Sequence, residues 1–278
     1  MTQDKRSVYS RTWDNYVTKS FPDIQNAPAR KPGDLREWQV LNTTDDHYTW
    51  PGDEWGDADA VARILDTCVA PYLVAPPAHA VEIASGSGRM TRPFLDRFPN
   101  AQIGCFDISQ AFLDQMHLRF PDEIASGQMT THFLNDKPGF MYEAIETAGL
   151  QGRIDCLFSY DAMVHVELHT VLIYIATAAA VLKPGGLLSM SVADGANPLA
   201  FQKMLCNAPS VFRLGGQAGP HFQFMSHDIL EYMLPRMGFA FDLHDCNGRD
   251  IFFSARLEDP GAARQAFRDA GSNWWLAP

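Results

Sequence analysis

From residue 79 onward, short apolar runs of the length of buried strands alternate with stretches that carry apolar residues at helical spacing. The strand-like runs cover 79–84, 101–107, 129–134, 154–160 and 186–193. The helix-like stretches cover 90–98, 111–120, 142–148 and 166–182. This alternation predicts a parallel sheet wrapped by helices on both faces, with ligands beyond the carboxyl ends of the strands. Before it, Val61, Ile64, Leu65, Cys68 and Val69 fall on one face of a helix over 57–72, with Asp57 as its cap. After it, 226–237 reads as a helix with Ser226 as N-cap, and 239–245 and 250–256 read as a closing pair of strands.

Two stretches break the rhythm. Residues 1–58 are polar but rich in aromatics, among them Tyr9, Trp13, Tyr16, Trp38, Trp50 and Trp55, which argues against disorder. Pro22, Pro28, Pro32 and Gly33 divide this arm into short pieces. Residues 195–224 are rich in Gly, Pro and Phe and read as a cap inserted after the fifth strand. The organisation expected is an arm and helix over 1–75, a core over 76–257 with the cap at about 195–225, and a tail over 258–278. Trp274, Trp275 and Leu276 make that tail apolar, suited to docking on the body or in a partner. A homodimer is compatible with this organisation.

The chemistry concentrates at Val81-Glu82-Ile83-Ala84-Ser85-Gly86-Ser87-Gly88. A buried strand runs into a glycine turn and then a helix start, where free N–H groups and close backbone approach suit a nucleoside ligand. Asp107 closes the next apolar run, placed to accept bonds from two ribose hydroxyls. A dinucleotide fingerprint would need a third glycine at position 91, where this chain has Thr91. That weighs against a nicotinamide-dependent oxidoreductase.

The pattern acid-x-A-x-G-x-G on Glu82, Ala84, Gly86 and Gly88 resembles the first motif of the class I S-adenosylmethionine-dependent methyltransferases, with Ala84 in place of the first glycine. Phe106-Asp107-Ile108-Ser109 resembles the second motif, whose acid binds the ribose. Asn135-Asp136 resembles the third, whose acid faces the adenine amino group, and 155–161 resembles the fourth. Leu182-Lys183-Pro184-Gly185-Gly186-Leu187 looks like the turn before the fifth strand. The resemblance covers roughly 76–257. It implies an α/β, doubly wound, mostly parallel seven-stranded sheet whose last two strands are antiparallel at the edge. It also implies S-adenosylmethionine as cofactor, leaving S-adenosylhomocysteine. The cofactor residues expected are Glu82, Ala84, Ser85, Gly86, Gly88, Arg89, Asp107, Ile108, Asn135, Asp136, Ser159 and Tyr160. Arg89 suits either the carboxylate of the cofactor's methionine part or a surface charge; Tyr160 either a backbone contact or packing.

Methyl transfer to a hydroxyl or a protonated amine requires a base near the fourth strand's end or in the cap. His165 is the first candidate, since its ordinary pKa of about 6.5 suits proton abstraction near neutral pH; otherwise it packs at the next helix start. Asp161 is the second, as base, as partner of His165, or as helix cap. His165 and His169 are four apart, but position 166 is valine rather than the glutamate of the zinc-protease motif, and no metal is expected. The segment 48–56, with Trp50 and Trp55 around two acids, suits either a lid over the acceptor or a latch that docks the arm. His221 joins the two tryptophans as a candidate acceptor contact.

Composition narrows the partners. Of 278 residues 46% are hydrophobic, enough for a large core. Lys+Arg 22 against Asp+Glu 33 gives a net charge of −11, which repels phosphate backbones and argues against a nucleic-acid substrate. No apolar run reaches a membrane span of about 18 residues, and 1–20 lacks a signal-peptide core. Five cysteines without a C-x-x-C pair read as buried hydrophobes of a reduced, cytoplasmic protein. The expectation is an O-methyltransferase of a small polar molecule, with N-methylation of a small amine or peptide as the alternative. A non-catalytic S-adenosylmethionine-binding protein is the alternative of a different class.

Overall fold

The structure, a computed structural model, describes residues 5–26, 48–56, 58–134, 140–213 and 221–272. Asp57, the pair Asn135 and Asp136, and the apolar tail 273–276 lie outside the described residues.

Among the described residues eight strands form one sheet: β1 (His79–Ile83), β2 (Gln102–Asp107), β3 (Met129–Phe133), β4 (Ile154–Ser159), β5 (Leu182–Asp194), β6 (Phe224–Met225), β7 (Phe239–His244) and β8 (Asp250–Leu257). Seven run in the order β3-β2-β1-β4-β5-β8-β7, while the two-residue β6 pairs with the end of β5 off that path. The first five strands are parallel, and β8 runs antiparallel to both neighbours. The order reverses between β1 and β4, the switch point at which open α/β sheets bind ligands.

Strand alternation divides the core between the two faces. Val81 and Leu157 pack with Ile175 of α8 (Leu168–Val181) and Leu230 of α10 (His227–Arg236). Ala80, Cys156 and Phe158 pack on the other face with Phe94 of α4 (Thr91–Arg97) and Leu113 of α5 (Gln110–Arg119). Leu65 and Cys68, in the helical turn that extends α3 (Ala58–Ile64), join that second face.

The structure moves several expected boundaries. β5 begins at Leu182 rather than at 186, because the presumed turn residues already run beside Ile154 before a register shift. A Cβ on Gly186 would lie 2.9 Å from the Lys183 carbonyl oxygen and 3.1 Å from that of Ile154, so this crossing needs glycine. The cap contains a 16-residue helix, α9 (Pro198–Arg213), which turn-rich composition had concealed. The tail contains α11 (Ala262–Asp269), whose Ala263 is buried in the core. The arm is helical through Pro22: α1 (Lys5–Asn15) passes through a π-helical turn, Tyr16–Ser20, into α2 (Phe21–Asn26). The wider turn falls just before Pro22, where an ordinary helix would miss a donor. Ser226 does precede α10, without a side-chain capping bond.

Candidate active site

The turn after β1 takes the form its sequence implies. Ala84, Gly86 and Gly88 all have left-handed backbone angles, with φ of 55°, 56° and 89°. Ala84 holds this conformation at a cost that glycine would avoid. Gly88 has a second constraint: a Cβ there would lie 2.3 Å from the Phe120 ring. Thr91, where a dinucleotide site would have glycine, is buried at the start of α4 and donates its hydroxyl to Glu82 at 2.5 Å. Burial pushes Glu82 up to about 8, against that bond and the charge of Arg89.

Asp107 stands across the turn. Its two oxygens accept from the Gly86 and Ser109 N–H groups, each at 2.8 Å. Burial raises its pKa to about 6, with those bonds and the Ile108 N–H pulling the other way. A carboxylate has about four acceptor sites, so capacity remains for ribose hydroxyls.

A cavity opens over the carboxyl ends of β1, β2 and β4. Glu82, Ala84, Ser85, Gly86, Arg89, Asp107, Ile108 and Tyr160 all line it, as do Asp161 and His165. Gly88, also expected at the cofactor, is not among the residues that line it. The Ser159 hydroxyl donates instead to the Ile83 carbonyl at 2.8 Å, tying β4 to β1. The Tyr160 hydroxyl shares a bond with Ser189 at 2.6 Å, so its polar end is spent within the sheet. Asp155, at the opposite end of β4, accepts from the Ala78 and His79 N–H groups and pairs with Lys183.

The arm supplies walls that motif reading did not assign. Tyr9 and Trp13 of α1 face the cavity. Between them Ser10 donates to the Ile108 carbonyl at 2.7 Å, and Asp14 accepts from the Ser109 hydroxyl at 2.6 Å and the Ala111 N–H at 3.1 Å. The signal was present: Tyr9, Trp13 and Tyr16 recur at helical spacing, with Ser10 and Asp14 one position on.

The 48–56 segment is a latch that also forms wall. Ser87 donates to the Pro51 carbonyl at 2.7 Å, and Arg119 pairs with Asp53 at 2.9 Å. Tyr16 donates to buried Glu54, which also accepts from the Gly52 N–H at 2.8 Å. Trp55 reaches the cavity beside Trp13, with ring centroids 5.9 Å apart. Trp50 instead lies 5.8 Å below the Arg119 guanidinium, away from the cavity wall.

Arg89 is no surface charge. It pairs with Asp161 at 2.9 Å, and Asp161 in turn meets Arg249, from the β7–β8 turn, at 2.5 Å. Burial acts to raise the Asp161 carboxyl, but Arg249 and Arg89 outweigh it and hold the group below the usual range. Asp161 is therefore a fixed anion and a poor base, held at a left-handed φ of 63°. Arg249 also pairs with Asp250 and was missed in sequence, because its partner lies 88 positions away.

His165 lies in a short 3-10 turn, Met163–His165, before α8. Its ring packs against Trp13 at 5.2 Å and Phe222 at 5.0 Å. Its Nδ1 is buried and has no hydrogen-bond partner among the described residues. Burial pulls its pKa down to about 4; Asp161 opposes this and Lys203 adds to it. His169 is exposed on α8, so the two histidines do not share a surface. His221 is off the cavity wall, with its Nε2 buried. Among the described residues no group of three His, Cys, Asp or Glu could hold a metal, and no helix is long and apolar enough to cross a membrane.

The walls fit an adenosyl cofactor: a turn with left-handed glycines, an acid at the end of β2 with acceptor capacity, and Arg89 beyond. Comparison with known proteins agrees. Residues 81–188 match the family described as a methyltransferase domain. That match covers less than half of the 278-residue chain, and it makes the stretch from the first strand into the fifth similar to a methyltransferase domain. Among solved structures it is similar to magnesium protoporphyrin IX methyltransferase (ChlM) of Synechocystis PCC 6803 with bound SAH. That likeness has 14% identity and a TM-score of 0.55, over 91% of this chain and 99% of that one. It is also similar to an O-methyltransferase family protein of Burkholderia thailandensis, at 15% identity and TM-score 0.53, over 73% of this chain; it spans only 58% of that protein's length. The CcbJ methyltransferase of Streptomyces caelestis matches at 15% identity and TM-score 0.52, over 76% of this chain and 94% of that one. A search of curated protein sequences gave no match.

Proposed function

We propose that the chain methylates a hydroxyl of a small polar molecule, with His165 as proton acceptor. The observation that supports this best is His165 itself: the residue lines the cavity, and its Nδ1 is buried without a partner among the described residues. Burial leaves that imidazole neutral at neutral pH but, with a pKa of about 4 in place of the ordinary 6.5, a weaker base than the sequence implied, and the charge of Asp161 works against that loss. Asp161 is the positioning residue. Its fixed negative charge favours the protonated ring and so stabilises the imidazolium as it forms.

When bound, S-adenosylmethionine supplies a methyl group on a positively charged sulfur, already activated for in-line displacement. Asp107 would hold its ribose, the 84–87 backbone would lie along it, and Arg89 would face its carboxylate. The protein's remaining work is to orient the acceptor and exclude water. Trp13, Trp55 and Phe112 wall the cavity for that purpose, and their enclosure favours a small acceptor over a protein surface.

The test is a screen of hydroxylated small molecules with S-adenosylmethionine, read by mass of the product, followed by His165→Ala. The variant should bind S-adenosylhomocysteine within about twofold of the parent while turnover falls roughly 100-fold. Undiminished turnover removes His165 as base. A product methylated on nitrogen replaces the hydroxyl reading, and binding without turnover on any acceptor favours a cofactor-binding protein.

A further inference from the structure

The five cysteines were expected to be separate buried hydrophobes, and two are not separate. Cys68, in the helical turn after α3, and Cys246, in the β7–β8 connection, have sulfurs 3.6 Å apart, although 178 positions separate them in sequence. Cys68 is fully buried and cannot swing away. Its carbonyl accepts from the Ser254 hydroxyl at 2.7 Å and the Ser189 hydroxyl at 3.2 Å, which anchors this turn to β8 and β5. Cys246 is half-exposed, so a small oxidant in solution can reach one thiol of the pair and not the other.

We propose that Cys68 and Cys246 form an oxidative cross-linking site, closed to a disulfide by a peroxide such as hydrogen peroxide. The Cys246 thiolate attacks one peroxide oxygen; the O–O bond breaks, leaving a sulfenic acid on Cys246 and hydroxide that is protonated to water. The Cys68 sulfur then attacks the Cys246 sulfur. The S–O bond breaks, and the hydroxyl group leaves as water with the proton of Cys68. Two thiols are oxidised, one peroxide is reduced, and two waters form. The sulfurs need only close from 3.6 Å to about 2.05 Å. Electrostatics supports this order. The Cys68 thiol, by its hydrogen bond, favours the thiolate of Cys246, with Arg63 adding to the effect, while the same pairing and burial raise Cys68.

The bond would act on the methyltransferase site from two sides. α3 follows directly on the 48–56 latch, and Cys246 lies three positions before Arg249, which holds Asp161. A cross-link ties the element behind the latch to the turn that carries Arg249.

The experiment treats the reduced, folded chain with a small excess of hydrogen peroxide, blocks remaining thiols with an alkylating agent, and maps peptides without reductant. The expected product is a peptide pair joined through Cys68 and Cys246. Its melting temperature should rise on the order of 5–10 °C and return on adding a thiol reductant. Cys246→Ser should show neither the linked pair nor the rise. Cys206→Ser, which removes the exposed cysteine on α9, should show both. Stable sulfinic acid on Cys246, or bonds made only through Cys206, would overturn the proposal. The readout does not depend on cofactor or acceptor, so its failure is distinct from failure of the methyltransferase reading.

Discussion

Gly88 carries two separate demands, a φ of 89° and no room for a Cβ beside Phe120. Gly88→Ala should therefore lose on the order of 2–4 kcal/mol, from backbone strain and overpacking together. A melting temperature within a degree or so of the parent would contradict the close approach of the Phe120 ring. Ala84 shows that a left-handed angle alone is tolerated by a residue as small as alanine. Asp107 yields a prediction of another kind. Its role is acceptance, so Asp107→Ala should weaken S-adenosylhomocysteine binding by roughly 1–3 kcal/mol, about 10- to 100-fold. Burial raises its pKa, so protonation begins at higher pH than for an ordinary aspartate. Affinity should fall as pH drops through about 6 rather than about 4. Calorimetry on parent and variant checks both; a flat affinity across that range removes Asp107 from the ribose role.

Among elements, the latch has the most particular attachment. It meets the glycine turn through Ser87 and meets α5 through Arg119, which pairs with Asp53 and lies over Trp50. Arg119→Met keeps much of the packing and removes the ion pair. A partly exposed pair of this kind contributes about 1 kcal/mol or less, so global stability should change little. Local opening should change more: amide hydrogen exchange in 50–56 should quicken several-fold while the core strands keep their rates. Equal rates in parent and variant would mean that Ser87 and the Tyr16–Glu54 bond suffice. The elements also show how far pattern reaches. Strands β1 to β4 and helices α4, α5 and α8 lie within a few residues of their expected places, because each buries a face that its own spacing announces. α9 and α11 were hidden, the first under glycine- and proline-rich composition and the second in a stretch expected to be only a tail.

At the scale of the molecule, the sheet order brings the ends of β1, β2 and β4 to one cavity, and the arm and latch roof it. The sequence alone determined the alternating fold, the glycine turn, Asp107 as its companion and His165 near the end of β4. These follow from near neighbours: period, chain reversal and the residue types a tight turn admits. It did not determine who meets whom across the fold. Only the tertiary structure made Asp161 an anion between Arg89 and Arg249 rather than a base, turned Trp50 away from the cavity, put Tyr9 and Trp13 on its wall, and set Cys68 against Cys246. Those partners lie tens to hundreds of positions apart. No local periodicity encodes such pairs; the path of the chain through the sheet brings them together, and burial then sets their charge.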